Sequence, residues 1–258
     1  MKNKDLKKIY DKIYKKGERK HYSSILFSGD RVPPAKQEVL KEISWKGKTV
    51  LDAGCGTGEL AHLISKKGAK KVLGIDYSES AINEAKKQYQ NKNLFFEKSD
   101  LNNISGKFDV IISLGTLEHL DDPLGALTNL KNKLNPGGHL IITCPNWSNA
   151  RGYILLALKY LFDAKITLAD LHYLTPVEFE NWSKNLGMKL SWRTVEQEWG
   201  HGEKMIKDFQ RRLPNVLKDF KVKKNDINDF IIWLQAHTAP LEVSSKSSGA
   251  VGLYHFRK

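Results

Sequence analysis

The stretch from Val50 to Leu60 runs from an apolar strand through three alternate glycines, Gly54, Gly56 and Gly58, and into a helix. Glycines at this spacing allow a turn closed to other residues and bring main-chain N–H groups toward a ligand at a helix N-terminus, the layout of a nucleotide-cofactor cradle. A dinucleotide fingerprint requires a third small residue where this chain has Glu59, and no Gly-Lys-Ser/Thr follows as a phosphate loop needs. The remaining reading is a cofactor without phosphates. Asp52 lies just before the glycines and Asp76 at the end of a second apolar run. Three histidines, His119, His172 and His201, supply candidate proton acceptors.

The motif Asp-x-Gly-x-Gly-x-Gly beginning at Asp52 resembles the first motif of the class I methyltransferases that use S-adenosylmethionine. Four more segments follow in that family's order: Val72 to Asp76, Ser99 to Leu101, Phe108 to Ser113, and Leu134 to Ile142, so the resemblance covers residues 48–145. It implies a doubly wound, mostly parallel α/β sheet of seven strands in the order 3-2-1-4-5-7-6, the last strand antiparallel. It also implies cofactor contacts. Gly54, Cys55, Gly56 and Gly58 follow the methionine portion, Asp76 takes both ribose hydroxyls and Tyr77 stacks near the adenine. Asp100 and Leu101 meet the adenine edge, and Leu114 closes the floor. Asp52 either holds the loop through backbone hydrogen bonds or touches the cofactor; members of the family show both.

Methyl transfer from a sulfonium requires a base only if the acceptor holds a proton, and a phenol with a pKa of about 10 benefits from a nearby histidine. His119 lies just after the fourth strand, where the family places residues facing the donor methyl. The segment around it is similar to the Glu-x-x-Glu-His of quinone-pathway O-methyltransferases, with Gly115 in place of the first acid. That departure argues against a carboxylate-bound metal, and none is expected. His119 alternatively caps or packs beside the following helix. His172 stands in Asp170-Leu171-His172-Tyr173-Leu174-Thr175, similar to an Asp-x-x-His-x-x-Thr segment that lines the acceptor side in small-molecule and sugar methyltransferases. It reads as base or acceptor contact, or as a local bond closing its loop. His201, beside Trp199, is a further candidate.

Elements that position these residues follow from periodicity. Strands and helices alternate from Thr49 onward, with a helix after Ser78 and another opened by Asp122-Pro123 and carrying Leu124, Leu127, Leu130 and Leu134. Thr175-Pro176-Val177-Glu178 forms a capping box before a helix that buries Phe179, Trp182 and Leu186 and stops at Gly187. Strands at Lys189–Val195 and Val251–Phe256 complete the sheet. Two insertions, residues 146–174 and 198–249, are expected to form a helical lid over the acceptor pocket. The first is apolar on nearly all sides over 152–162. The second has one helix to Arg212, a break at Pro214, another helix with Ile227, Phe230, Ile231 and Leu234, and a flexible turn at 244–249.

The chain has 258 residues, two cysteines without metal spacing, and 42 basic against 29 acidic side chains, for a net charge of +13. Residues 1–45 read as a basic amphipathic helix with its lead-in, striped by Leu6, Ile9, Tyr10, Ile13 and Tyr14, and 46–258 as the methyltransferase domain. No apolar run approaches the ~18 residues of a membrane span, and the start is no secretory signal, so a cytoplasmic protein is expected. The helix suits peripheral contact with a membrane. The partner expected is a small or lipid-like methyl acceptor, O-methylated by in-line transfer. Nucleic acid stands behind it, because Ser113-Leu114-Gly115-Thr116 replaces the amine-clamping motif of nucleic-acid enzymes. Protein methylation and non-catalytic binding of S-adenosylmethionine would also fit these motifs.

Overall fold

The computed structural model describes residues 32–167, 169–237 and 245–258, so the basic helix expected before His21 lies outside the described residues. Seven strands, β1 (Thr49–Ala53), β2 (Lys71–Asp76), β3 (Leu94–Lys98), β4 (Phe108–Leu114), β5 (Leu134–Pro145), β6 (Lys189–Val195) and β7 (Val251–Arg257), form one sheet. Its order is β3-β2-β1-β4-β5-β7-β6. The first five strands run parallel, while β7 pairs antiparallel with both β5 and β6. This is the topology expected from the sequence.

Both faces of the sheet are covered, which is why the strands read as continuous apolar runs. One face packs on α1 (Pro34–Lys41), α2 (Glu59–Lys66) and α3 (Glu79–Gln88), burying Val50, Val72, Val110 and Ile112 against Val39, Ile64 and Ile82. The other packs Leu51, Ile111 and Ile142 on α4 (Pro123–Asn132) and α6 (Pro176–Leu186). A third, separate core lies within the two insertions expected as a lid: Leu155 of α5 (Ala150–Phe162) meets Met205, Phe209 and Leu213 of α8 (Glu203–Val216) and Ile231 and Leu234 of α9 (Lys224–His237). A short α7 (Gln197–His201) leads into α8.

Helix starts follow the local chemistry of their caps. Ser78, Asp122, Asn149 and Thr175 each accept a first-turn N–H with a side-chain oxygen, and Glu178 completes the capping box at Thr175. Gly187 ends α6 in the left-handed conformation at φ 59.

Four expectations change. Leu134 opens β5 instead of closing α4, because its main chain pairs with Phe108 across an irregular register before the regular β4–β5 ladder resumes at Val110. Pro214 does not break its helix: Leu217 N–H still bonds Leu213 C=O across it, and burial of Leu213 and Val216 carries α8 through. Residues 245–249 are clamped, since Asn146 Nδ2 donates to the carbonyls of Ser247 and Gly249, both at 2.7 Å. Trp182 is only partly buried, unlike Phe179 and Leu186.

Candidate active site

The carboxyl ends of β1, β2 and β4 gather the residues expected to meet a cofactor, as open α/β sheets do. Gly54 and Gly58 both have φ 82, and their lack of a side chain serves packing behind the loop. A Cβ on Gly54 would lie 2.5 Å from Thr116 Oγ1, and one on Gly58 2.5 Å from the Phe96 ring. The loop N–H groups also turn inward, contrary to the cradle expected. Those of Gly54 and Cys55 donate to Ile75 C=O at 2.9 Å, and that of Gly58 to Cys55 C=O at 3.0 Å. Gly56 N–H donates to Asp76 Oδ2 at 2.9 Å, while Asp76 Oδ1 accepts from Ser78 N–H at 2.8 Å. These four N–H groups are thus engaged inside the loop, while the carboxylates of Asp52 and Asp76 lie beside it.

Asp52 is buried with Oδ2 unpartnered. Burial pushes its carboxyl up to about 7, Lys36 opposing the rise and Asp76 adding to it. Lys36, which sequence reasoning does not single out, reaches across from α1 to pair with Glu59 at 2.8 Å, next to the glycine loop. Two acidic side chains and inward-turned N–H groups suit a ligand with hydroxyl and ammonium donors and suit a phosphate poorly. Tyr77 follows Asp76, half-buried. Asp100 is exposed and caps the turn Leu101–Asn103 by accepting from Asn102 N–H, while Asn129 Nδ2 holds Leu101 C=O at 2.6 Å. Leu114 ends β4, half-buried.

Beyond β4 the turn Leu117–His119 carries a second polar cluster. His119 Nδ1 faces Ala169 C=O at 3.2 Å and Asp170 Oδ1 at 3.3 Å. A carbonyl and a carboxylate are both acceptors, so Nδ1 carries the proton and Nε2 the lone pair of the neutral ring. Burial holds the His119 pKa below the usual histidine value, with the Ala169 carbonyl offsetting part of the effect. Glu118 Oε1 lies 4.0 Å from Nε2, and Glu118 Oε2 is buried without a partner. Burial, reinforced by the nearby Asp170, pushes the Glu118 carboxyl up to about 8. Cys144 lies beneath it, fully buried, and burial raises its thiol well above the ordinary range.

His172 joins this cluster by a different route. Its Nε2 bonds Leu120 C=O at 2.8 Å, while the main-chain N–H groups of Leu171 and His172 donate to Glu118 C=O at 2.8 and 3.1 Å. These bonds pin the 170–172 loop over the turn that holds His119. His201 sits at the end of α7 with both ring nitrogens buried and unpartnered. Trp147 and Tyr173 meet edge to face at 4.9 Å between centroids, at the margin of the third core. Asp170 and Glu118 are the residues the sequence reading passes over. The one available signal was their direct adjacency to the candidate histidine motifs. Among the described residues, no group of three His, Cys, Asp or Glu side chains is arranged to hold a metal ion.

Residues 30–191 match the methyltransferase domain family. The chain is 32% identical over 166 residues to a ubiquinone biosynthesis O-methyltransferase of Coxiella burnetii, covering 61% of this chain and 70% of that one. It is 28% identical over 155 residues to the protein of that name from Acinetobacter baylyi, covering 56% and 64%. Its fold is similar to that of a magnesium protoporphyrin IX methyltransferase from Synechocystis solved with bound SAH, with TM-score 0.60, 18% identity, and 98% and 99% of the two chains covered. An S-adenosylmethionine-dependent methyltransferase from Thermotoga maritima matches with TM-score 0.63 and 16% identity over 97% and 98%.

Proposed function

The chain belongs to the methyltransferase domain family and uses S-adenosylmethionine, and from that premise we propose that it O-methylates a small or lipid-like hydroxyl acceptor with His119 as the base. The observation that carries this reading is the fixed His119 ring, its Nδ1 proton committed to Ala169 and Asp170 and its Nε2 basic. Bound S-adenosylmethionine supplies a methyl group on a positively charged sulfur. With it bound, His119 Nε2 would take the hydroxyl proton as the acceptor oxygen displaces the thioether from the methyl carbon, and the imidazolium would return its proton to water. The leaving thioether needs no acid, so positioning and water exclusion by the lid supply the remainder.

In this reading Asp76 takes the ribose hydroxyls and Asp52 Oδ2 a donor on the methionine portion. Gly54, Cys55, Gly56 and Gly58 shape that channel, while Tyr77, Asp100, Leu101 and Leu114 surround the adenine. His172 fixes the acceptor-side loop. Support for the acceptor class comes from the O-methyltransferase relatives and from α5, whose outward stripe leaves Tyr153 62%, Tyr160 75% and Leu161 74% exposed. Such a stripe suits peripheral contact with a membrane that holds a lipid-like acceptor. No helix of the described residues is long and apolar enough to cross a membrane.

The test is transfer of a labelled methyl group from S-adenosylmethionine into a cell extract separated into lipid, small polar, RNA and protein fractions. Label is expected in the lipid or small polar fraction and lost with His119→Gln. Label confined to RNA or protein would overturn the acceptor class, and full activity of His119→Gln would overturn the base.

A further inference from the structure

The lid core contains a buried charge cluster that the reaction as proposed does not use. Asp208 of α8 is 2% exposed and accepts from three guanidinium groups. Arg151 Nε of α5 lies 2.8 Å from Oδ2, Arg212 Nε 3.0 Å from Oδ2, Arg212 Nη2 3.2 Å from Oδ1 and Arg211 Nη2 3.3 Å from Oδ1. Arg151 and Arg212 also favour the ionised form of Asp170. Arg212 Nη1 also donates to Ile166 C=O at 2.7 Å, tying α8 to the segment that leads into Asp170. On its other side Asp170 faces His119 Nδ1 at 3.3 Å.

We propose that Arg151 and Arg212 are positioning residues: the docked lid holds Asp170 as a carboxylate against His119 Nδ1, so that the histidine has the tautomer and orientation of a base only while the lid helices are in place. The proposal rests on His119 being the base. The groups that face Asp170 and His119 divide by element. Arg151 comes from α5 and Arg212 from α8, both favouring ionised Asp170; Glu118, in the turn after β4, and Cys144, in β5, stay neutral where Asp170 titrates, because burial and Asp170 itself disfavour their ionisation. Without the arginines, burial would push the Asp170 carboxyl further toward its protonated form. A neutral carboxyl could then donate to His119 Nδ1 and move the ring proton to Nε2, removing the base.

The test reads the imidazole directly in the full chain labelled with ¹⁵N-histidine, His119 being assigned by its loss in His119→Gln. Burial sets the Asp170 carboxyl at about 6 in spite of the arginines, so His119 should report an inflection in that region and hold the Nδ1–H tautomer above it. Removing a cation raises a carboxyl pKa, so Arg212→Gln should move the inflection up by about one pH unit or more. Arg151→Gln should do the same by an independent route, and Arg212→Lys should restore most of the wild-type position. Arg211→Gln, which touches Asp208 but not Asp170, should leave it in place. The acid limb of methyl transfer into the extract fraction labelled by the wild type should follow the same order. An inflection that stays put in both Arg212→Gln and Arg151→Gln overturns the positioning role even if His119 is the base. A fully active His119→Gln with the shifts as expected would overturn the base and leave the lid coupling standing.

Discussion

At the carboxyl ends of β1 and β2 the chain is fixed by its own main chain, whereas across the lid it is fixed by side-chain charge. Around Gly54 to Gly58 the N–H groups close onto carbonyls and Asp76, and the missing side chains make room for Thr116 and Phe96. Between α5 and α8 the backbone is ordinary helix, and specificity comes from Arg151, Arg212 and Asp208 buried among Leu155, Met205 and Phe209. The first arrangement tolerates almost no change of residue type but no long-range partner has to be found. The second depends on residues about sixty positions apart in sequence meeting in the right order, as Arg151 and Asp208 do.

Removing Asp208 should expose the difference most strongly. Asp208→Ala leaves Arg151 and Arg212, both partly buried, without their shared counter-ion, a change worth at most about 3–5 kcal/mol, the range for fully buried pairs. Urea denaturation should show the lid core melting before the sheet, read as a split transition. A single transition with a small shift in midpoint would mean that the apolar contacts of Leu155 and Phe209 hold the lid alone.

The glycine loop should respond to a smaller perturbation. In Gly58→Ala the new methyl group would overlap Phe96 and sit at a positive φ. These add costs of about 1–3 kcal/mol for overpacking and about 1–2 kcal/mol for the left-handed backbone. Phe96→Ala alone leaves a cavity, but combined with Gly58→Ala it should recover the overpacking part. A double-mutant cycle with no coupling would place the requirement for glycine elsewhere than behind the loop.

These two ends were not equally legible. The alternate glycines, the acid ending β2 and the capping box at Thr175 are local patterns whose physics fits within a few residues, and the sheet order followed from recognising five of them in sequence. Periodicity also located α9 and β6 closely, because burial on one face leaves a repeating trace. What the glycines do was less legible, because Phe96 and Thr116 are distant in sequence and their packing decides it. The same holds for Asp170. Its adjacency to His172 was visible, but its partner is His119, fifty-one positions upstream, and the bond exists only because Glu118 C=O captures the main chain of Leu171 and His172. Pro214 misled for the complementary reason: a local helix breaker was outweighed by burial of Leu213 and Val216.

Cofactor affinity tests whether the carboxylates left facing a ligand do what the loop N–H groups do not. Asp76→Ala removes a charged acceptor for ribose hydroxyls, worth about 1.5–3 kcal/mol for each charged hydrogen bond. S-adenosylmethionine binding by titration calorimetry should weaken by roughly tenfold to a hundredfold. The variant also frees the N–H groups of Gly56 and Ser78, and Asp76→Asn keeps an acceptor for only one of them, so loop distortion is read separately from the thermal stability of each variant without ligand. Lost affinity with unchanged stability assigns the effect to the ligand; lost affinity in step with lost stability assigns it to the loop.

The smallest effect is expected on the outer face of the same helix that carries the lid's inner charge. Tyr160 and Leu161 are largely exposed, so neither makes the dense contacts that give a buried side chain its value. Replacing both by serine should change thermal stability by no more than about 0.5 kcal/mol, whereas Leu155→Ala, one turn earlier and fully buried, should cost about 2–5 kcal/mol. A helix whose outer apolar face contributes nothing to folding retains that face against the pressure of solubility, which favours polar residues there. Measured side by side, an unchanged Tyr160→Ser/Leu161→Ser melting curve with reduced sedimentation on anionic vesicles would assign the stripe to a surface outside the molecule. A destabilised double variant would instead assign it to the fold and bring the lid's outer face into the same side-chain logic as its charged interior.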